Sequence, residues 1–297
     1  MRTVVADVIG KGRFTPVASY QRFAYVCAGL LVASGLVHLG VYAVDGGPWE
    51  GPVSWRKPVV FGLSFGITLA TITWMLTFLR PRRWAGWLVL GLFSLASLAE
   101  VFLITMQRWR GVPSHFNETT TFDGTVFGWM GMLVSVIAAL TIAVAVWSWI
   151  RIDAPPSLAL AIRLGLLLML VSNGVGVQMI AEGGNTFGAA GALKVPHFVT
   201  LHALQVLPAL ALVLLAGRST EMRRVRVVEL GAAGYVVLIG STMVQTYAGR
   251  GPLDVDVASA AFALIGLALL ATSAVIALRG LGIQETVVGQ RVRPRTP

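Results

Sequence analysis

The chain has 297 residues, 56% of them hydrophobic and only 12% charged, against roughly 45–50% apolar and about 25% charged residues in an average soluble domain. A formal net charge of +10 would suit nucleic acid in a soluble protein, but here the arginines cluster in short breaks between long apolar runs. That is the pattern of lipid contact and topology control, so a lipid bilayer is the expected partner and nucleic acid is not.

Residues 1–21, with Lys11 and Arg13, are too polar to supply the apolar core of a signal peptide and read as a cytoplasmic N-terminal segment. Apolar runs then fall near 22–44, 57–79, 84–107, 123–149, 158–181, 197–216, 226–247 and 257–278. Each reaches the roughly 20 residues that cross about 30 Å of hydrocarbon as a helix. None shows the alternation of a barrel strand, and in lipid every backbone polar group must be paired within its own segment. The expected fold class is therefore an all-α integral membrane protein of eight transmembrane helices. Cys27, the only cysteine, lies in the first run and excludes an intramolecular disulfide or a cysteine-ligated metal cluster.

Placing the N-terminus in the cytoplasm puts most of the 23 basic residues on that side and leaves only Arg56, Lys57, Arg108, Arg110, Lys194 and Arg250 outside. This asymmetry in short loops predicts a multi-pass protein of the cell membrane with both termini cytoplasmic.

The chain also repeats itself. Asp45-Gly46-Gly47 precedes Lys57 at the same spacing as Glu182-Gly183-Gly184 precedes Lys194. Arg82-Arg83 is matched by Arg223-Arg224, and Thr105-Met106-Gln107 with Arg110-Gly111 and Pro113 is matched by Thr242-Met243, Gln245, Arg250-Gly251 and Pro252. The expected organisation is a first four-helix unit over 22–150, a second over 151–280, and a cytoplasmic basic tail over 281–297. An even number of helices per unit gives both the same orientation, with a polar site expected between them. Gly62 with Gly66, and Gly124 with Gly128, read as small-residue pairs for close helix packing.

Ionisable residues inside apolar runs are costly and mark candidate sites. His38, Glu100 and His202, from three different helices, fall at nearly equal expected depth below the outer boundary. Ser34, Asn173, Gln178, Gln205 and the pair Ser241 and Gln245 surround that level, while the inner half offers only Thr71, Thr73 and Glu229. The residue types allow several chemistries: a hydrogen-bonded cluster joining helices, a heme or transition-metal site, a transport pathway, or acid–base catalysis. In the cofactor reading His38 and His202 are ligands, with Glu100 as a further metal ligand or orienter and His115 and His197 as additional cofactor contacts. The loop Gln107-Arg108-Trp109-Arg110 with His115 and Asn117 forms a rim for an anionic group, joined as substrate contacts by Gln205 and Gln245. A carrier for a small polar or amphiphilic solute is the second reading. The third is a cofactor-free enzyme acting on lipid or isoprenoid, with Glu100 or Asp123 as proton donor. Asn117-Glu118-Thr119 also fits a glycosylation sequon.

Two segments, Arg110-Gly111-Val112-Pro113-Ser114-His115-Phe116-Asn117 and Pro196-His197-Phe198-Val199-Thr200-Leu201-His202-Ala203-Leu204-Gln205, resemble stretches of a bacterial polytopic membrane family without assigned activity. The duplicated four-helix plan is similar to that of the heme A synthase family. That resemblance implies histidines near the outer face of each half as heme ligands, with His202 at a ligand position and His115 a looser match. The chain departs from that family in having no histidine in helices two and eight and no outer-loop cysteines.

Overall fold

In the computed structural model, which describes residues 18–290 and the side chains as far as 281, eight helices are long and apolar enough to cross a membrane. They are α1 (Ser19–Asp45), α2 (Arg56–Leu79), α3 (Arg83–Trp109), α4 (Thr121–Ile150), α5 (Pro156–Ala181), α6 (Lys194–Ala216), α7 (Glu221–Tyr247) and α8 (Val257–Gln290). A two-stranded hairpin, β1 (Thr186–Phe187) with β2 (Gly191–Ala192), joins α5 to α6. The protein is thus an all-α, multi-pass membrane protein. Its helices carry many large apolar side chains on the outside, as contact with lipid requires.

The chain separates into two compact units, one ending at Val146 and the other beginning at Trp147. In the first, α1 and α2 pack backbone to backbone. A Cβ on Gly62 would stand 2.8 Å from Gly35 N and Leu31 O, and one on Gly66 would stand 2.6 Å from Val32 Cγ2. Only glycine permits that approach. Gly124 and Gly128 do not behave this way. A Cβ on Gly128 meets nothing within 4 Å and one on Gly124 only just reaches Glu118, so this pair forms no close crossing. At the other end of the unit Gln21 accepts from the Ala18 N–H and donates to Thr73 O and Thr77 Oγ1, closing α1 onto α2. Arg80, at φ 47°, ends α2 before Pro81.

In the second unit α5 packs on α6 through Gly165, whose Cβ would stand 2.9 Å from Leu204 Cα. Helices α7 and α8 interlock at Gly234 and Gly266, where an added Cβ would fall within 2.8 Å of Leu269 Cβ and Gly234 O respectively. Arg224 ties the start of α7 to the end of α6, donating to Leu214 O and Gly217 O while pairing with Glu221 at 3.1 Å. Glu221 in turn accepts from the Ser157 N–H at 2.7 Å. The repeated Gly-Gly motifs do the same local job. Gly46 (φ 67°) and Gly183 (φ 62°) both leave their helices in the left-handed region, which glycine enters without steric cost.

Candidate functional site

The richest polar assembly of the first unit lies at the end where α2 begins and α3 ends, with Glu100 deeper on α3. Helix α4 starts at Thr121, so Thr120 is its N-cap: the Asp123 N–H donates to Thr120 Oγ1 at 3.1 Å, and that hydroxyl donates to Asp123 Oδ2 at 2.7 Å. The other oxygen, Oδ1, accepts from Gln107 Nε2 at 2.9 Å and Arg110 at 2.7 Å, and Arg110 also donates to Gln107 Oε1. Arg110 further lies 4.6 Å over the Phe122 ring. Both oxygens of Asp123 are therefore engaged in holding α4 to the end of α3. That is the environment of a structural carboxylate, not of the proton donor expected from the sequence. Asn117 is likewise internal, donating to Pro113 O and accepting from the Thr119 N–H and hydroxyl. Its buried amide does not present the sequon to solvent.

Beside this network lies a second one that joins residues far apart in the chain. Lys57 Nζ donates to Ser114 Oγ at 3.4 Å, and Ser114 Oγ shares a hydrogen bond with His115 Nδ1 at 2.9 Å. Burial pushes the His115 imidazole down to about 3, with the Lys57 charge acting in the same direction, so the ring is neutral. His115 packs 5.4 Å from the Phe61 ring, and the following residue, Phe116, is held at φ 57°.

The third group is aromatic. His38 donates from Nδ1 to Ser34 O at 2.7 Å, the only direction a carbonyl allows, so its Nε2 lone pair accepts the Trp109 indole N–H at 3.1 Å. Trp55 lies 5.1 Å from Trp109 edge to face and 6.1 Å from His38. The Arg108 guanidinium stacks 3.9 Å over Trp55, with its Nε buried and without a hydrogen-bond partner among the described residues. Sequence reasoning singled out Lys57, Arg108, His38 and His115 but missed Trp55 and Ser114. A helix-start tryptophan reads as an interfacial anchor, and a loop serine carries no signal of its own.

Glu100 stands apart from all of these. It is fully buried, and neither carboxyl oxygen has a hydrogen-bond partner among the described residues. Along the same buried face of α3 follow Ser97, whose hydroxyl is also buried without a partner, and Ser94, beside the Cys27 thiol. Thr73 and Gln21 continue the buried polar residues toward the Arg83 end of the unit. At 1.5 Å per residue, Glu100 lies about 10 Å from Gln107 and about 9 Å from Ser94 along the helix. The half of this unit toward Arg83 is thus more polar than the sequence suggested. Thr71, by contrast, is half-buried and bonded to its own helix at Ile67 O.

In the second unit His197 joins two helices, while His202, Gln205 and Gln245 make contacts local to their own helix or its end. His197 Nδ1 donates to Ser172 O at 2.9 Å, while the Ser172 hydroxyl returns to His197 O at 2.8 Å. Gln245 donates to Gly251 O, and Ser241 to Ser259 O, so these two do not pair with one another. His202 contacts Gln205 Oε1 at 3.2 Å and stacks edge-on with Phe198 at 4.4 Å. Among the described residues no group of three or more His, Cys, Asp or Glu side chains is placed to hold a metal ion. Compared with protein-family models, curated proteins and solved structures, the chain matches none.

Proposed function

We propose that this membrane protein is a proton-linked carrier of a small anionic solute, with Glu100 of the first unit as the residue that takes up and releases the proton. The observation that carries this reading is the burial of Glu100 without a protein partner for either oxygen. An unsatisfied carboxyl in a membrane helix is expensive, and such residues ordinarily mark ion or proton pathways. Two further features support it. Ser97, Ser94 and Thr73 supply hydroxyls at successive depths, and among the described residues neither Lys57 nor Arg108 has a carboxylate partner. Lys57 is held by a hydroxyl and Arg108 by an indole face, which leaves two positive charges to attract an anion. The proton taken up by Glu100 and released with the solute would balance one negative charge of the co-moving anion. In this reading both termini lie in the cytoplasm, as the arginine distribution asks, and Lys57 and Arg108 face outward.

A heme or transition metal, the reading that follows from the depths of His38, Glu100 and His202 and from the likeness to the heme A synthase plan, has weaker support. Both ring nitrogens of His38 are committed, one to Ser34 O and one to the Trp109 indole. The residues present do not fit such a group without breaking those bonds. An absorption spectrum with elemental analysis of the purified protein separates the two readings.

The carrier reading is tested in proteoliposomes loaded with a pH-sensitive dye and challenged with a panel of small mono- and dicarboxylates and phosphate. Solute-dependent acidification of the lumen that disappears in Glu100→Gln supports it. Acidification that persists in that variant, or the absence of a response to every anion in the panel, overturns it.

A further inference from the structure

A groove of about 480 Å³ opens on the outer surface of the first unit where α1 meets the start of α3, lined by Phe23, Trp84, Trp87, Leu88, Gly91, Leu92 and Leu95. Its shape follows from the backbone. Residues Trp87–Gly91 form a π-helical turn, which inserts one residue into the helical register and widens the coil locally. Gly86 anchors that turn against α1, since a Cβ there would stand 2.6 Å from the Tyr20 ring. Phe23 closes the wall at 5.6 Å from Trp87. The side chains of Trp84, Leu88, Leu92 and Leu95 nonetheless remain largely exposed, so the groove is unfilled by the unit itself.

We propose that this groove holds one acyl chain of an anionic phospholipid whose phosphate rests on Arg82 and Arg83. The length fits: from Trp84 to Leu95 the groove runs about 16 Å at 1.5 Å per residue, close to one leaflet of the roughly 30 Å hydrocarbon core. The charge fits as well. Arg82 and Arg83 are exposed immediately before Trp84 in the chain and Arg80 shortly before them, with Arg22 exposed one residue before Phe23 on α1, and no acidic residue occurs between Arg80 and Ala99. Guanidinium forks match phosphate oxygens, and the two indoles sit where an interfacial ring meets the top of an acyl chain. The site is distinct from the Glu100 pathway and does not depend on it.

The test places the full chain in nanodiscs of phosphatidylcholine doped with a low, rising mole fraction of either brominated phosphatidylglycerol or brominated phosphatidylcholine, and reads quenching of tryptophan fluorescence. Brominated phosphatidylglycerol is expected to reach half-maximal quenching at a mole fraction roughly 10- to 30-fold lower than brominated phosphatidylcholine, if each of the two arginines contributes as a surface basic residue does. Arg82→Gln with Arg83→Gln is expected to remove that advantage. Trp84→Phe with Trp87→Phe is expected to remove the saturable component itself. Identical curves for the two lipids overturn the proposal. A phosphatidylglycerol preference that survives either pair of substitutions also overturns it, because the lipid would then be read elsewhere.

Discussion

Replacing Glu100 by methionine is expected to make the protein more stable. The side chain is fully buried, and both of its oxygens lack a hydrogen-bond partner from the described residues. A buried polar group without compensation costs about 1–3 kcal/mol on the scale of protein mutational data, and an ionised one at mid-membrane about 2.5–3.5 kcal/mol on the insertion scale. Methionine keeps the unbranched shape, fills the same volume with an adaptable apolar chain, and removes the unsatisfied atoms. The expected gain is about 2 kcal/mol, or roughly 30-fold in the folding constant. Glutamine, which leaves polar atoms in the same place, is expected to change stability little. Equilibrium unfolding of the full chain in mixed detergent and dodecyl sulfate micelles reads both variants. A loss of 1 kcal/mol or more in Glu100→Met, with Glu100→Gln near wild type, would show that the carboxyl is held by hydrogen bonds and would refute the reasoning.

Other consequences concern packing, loop chemistry and pH. Gly62→Ala forces a methyl against the α1 backbone and is expected to cost about 1–3 kcal/mol, whereas Gly128→Ala enters open space and is expected to be neutral or to gain up to about 1 kcal/mol of helix propensity; the same unfolding assay ranks them. Asp123→Asn removes the charge that Arg110 and Gln107 grip, and limited proteolysis between Arg110 and Thr120 is expected to become faster, an effect absent if the network is incidental. His115 is neutral in the folded chain down to about pH 3, while an unfolded imidazole titrates near 6.5. The unfolded state therefore binds the extra proton first as pH falls. Stability is expected to be independent of this group above about pH 6.5 and to decline below it toward pH 3, by at most about 1.4 kcal/mol per unit. His115→Gln should flatten that decline, and a larger decline in the variant would contradict the sign.

The eight helices were legible because spanning a bilayer imposes length and apolarity along a whole segment, and no tertiary information is needed to see either. Glu100 was legible for the same reason, as an acid where hydrocarbon is expected. What could not be read was rotation about each helix axis. In a helix apolar on every side, composition does not say which face meets protein and which meets lipid. Gly62 and Gly128 carry the same spacing signal, yet one presses on α1 and the other meets open space. Thr71 and Thr73 looked equivalent, yet Thr71 is half-buried and Thr73 fully buried. For the same reason Ser94 and Ser97 were passed over, although they extend the buried polar face below Glu100. The contact of Lys57 with Ser114 spans 57 residues, and the π-turn at Trp87–Gly91 lies against Phe23, with Gly86 before it against Tyr20. Neither leaves a local trace in the sequence.

Glu100 as a protonatable group inside the first unit is the claim on which the functional account stands, and modification by dicyclohexylcarbodiimide tests it most directly, because this apolar reagent reacts with protonated carboxyls within the membrane. Peptide mapping by mass spectrometry after labelling of the purified full chain is expected to show an adduct at Glu100, decreasing as pH rises and absent from Glu100→Gln. Labelling confined to exposed carboxyls such as Glu118 or Asp254, with Glu100 unmodified across the pH range, would contradict the account.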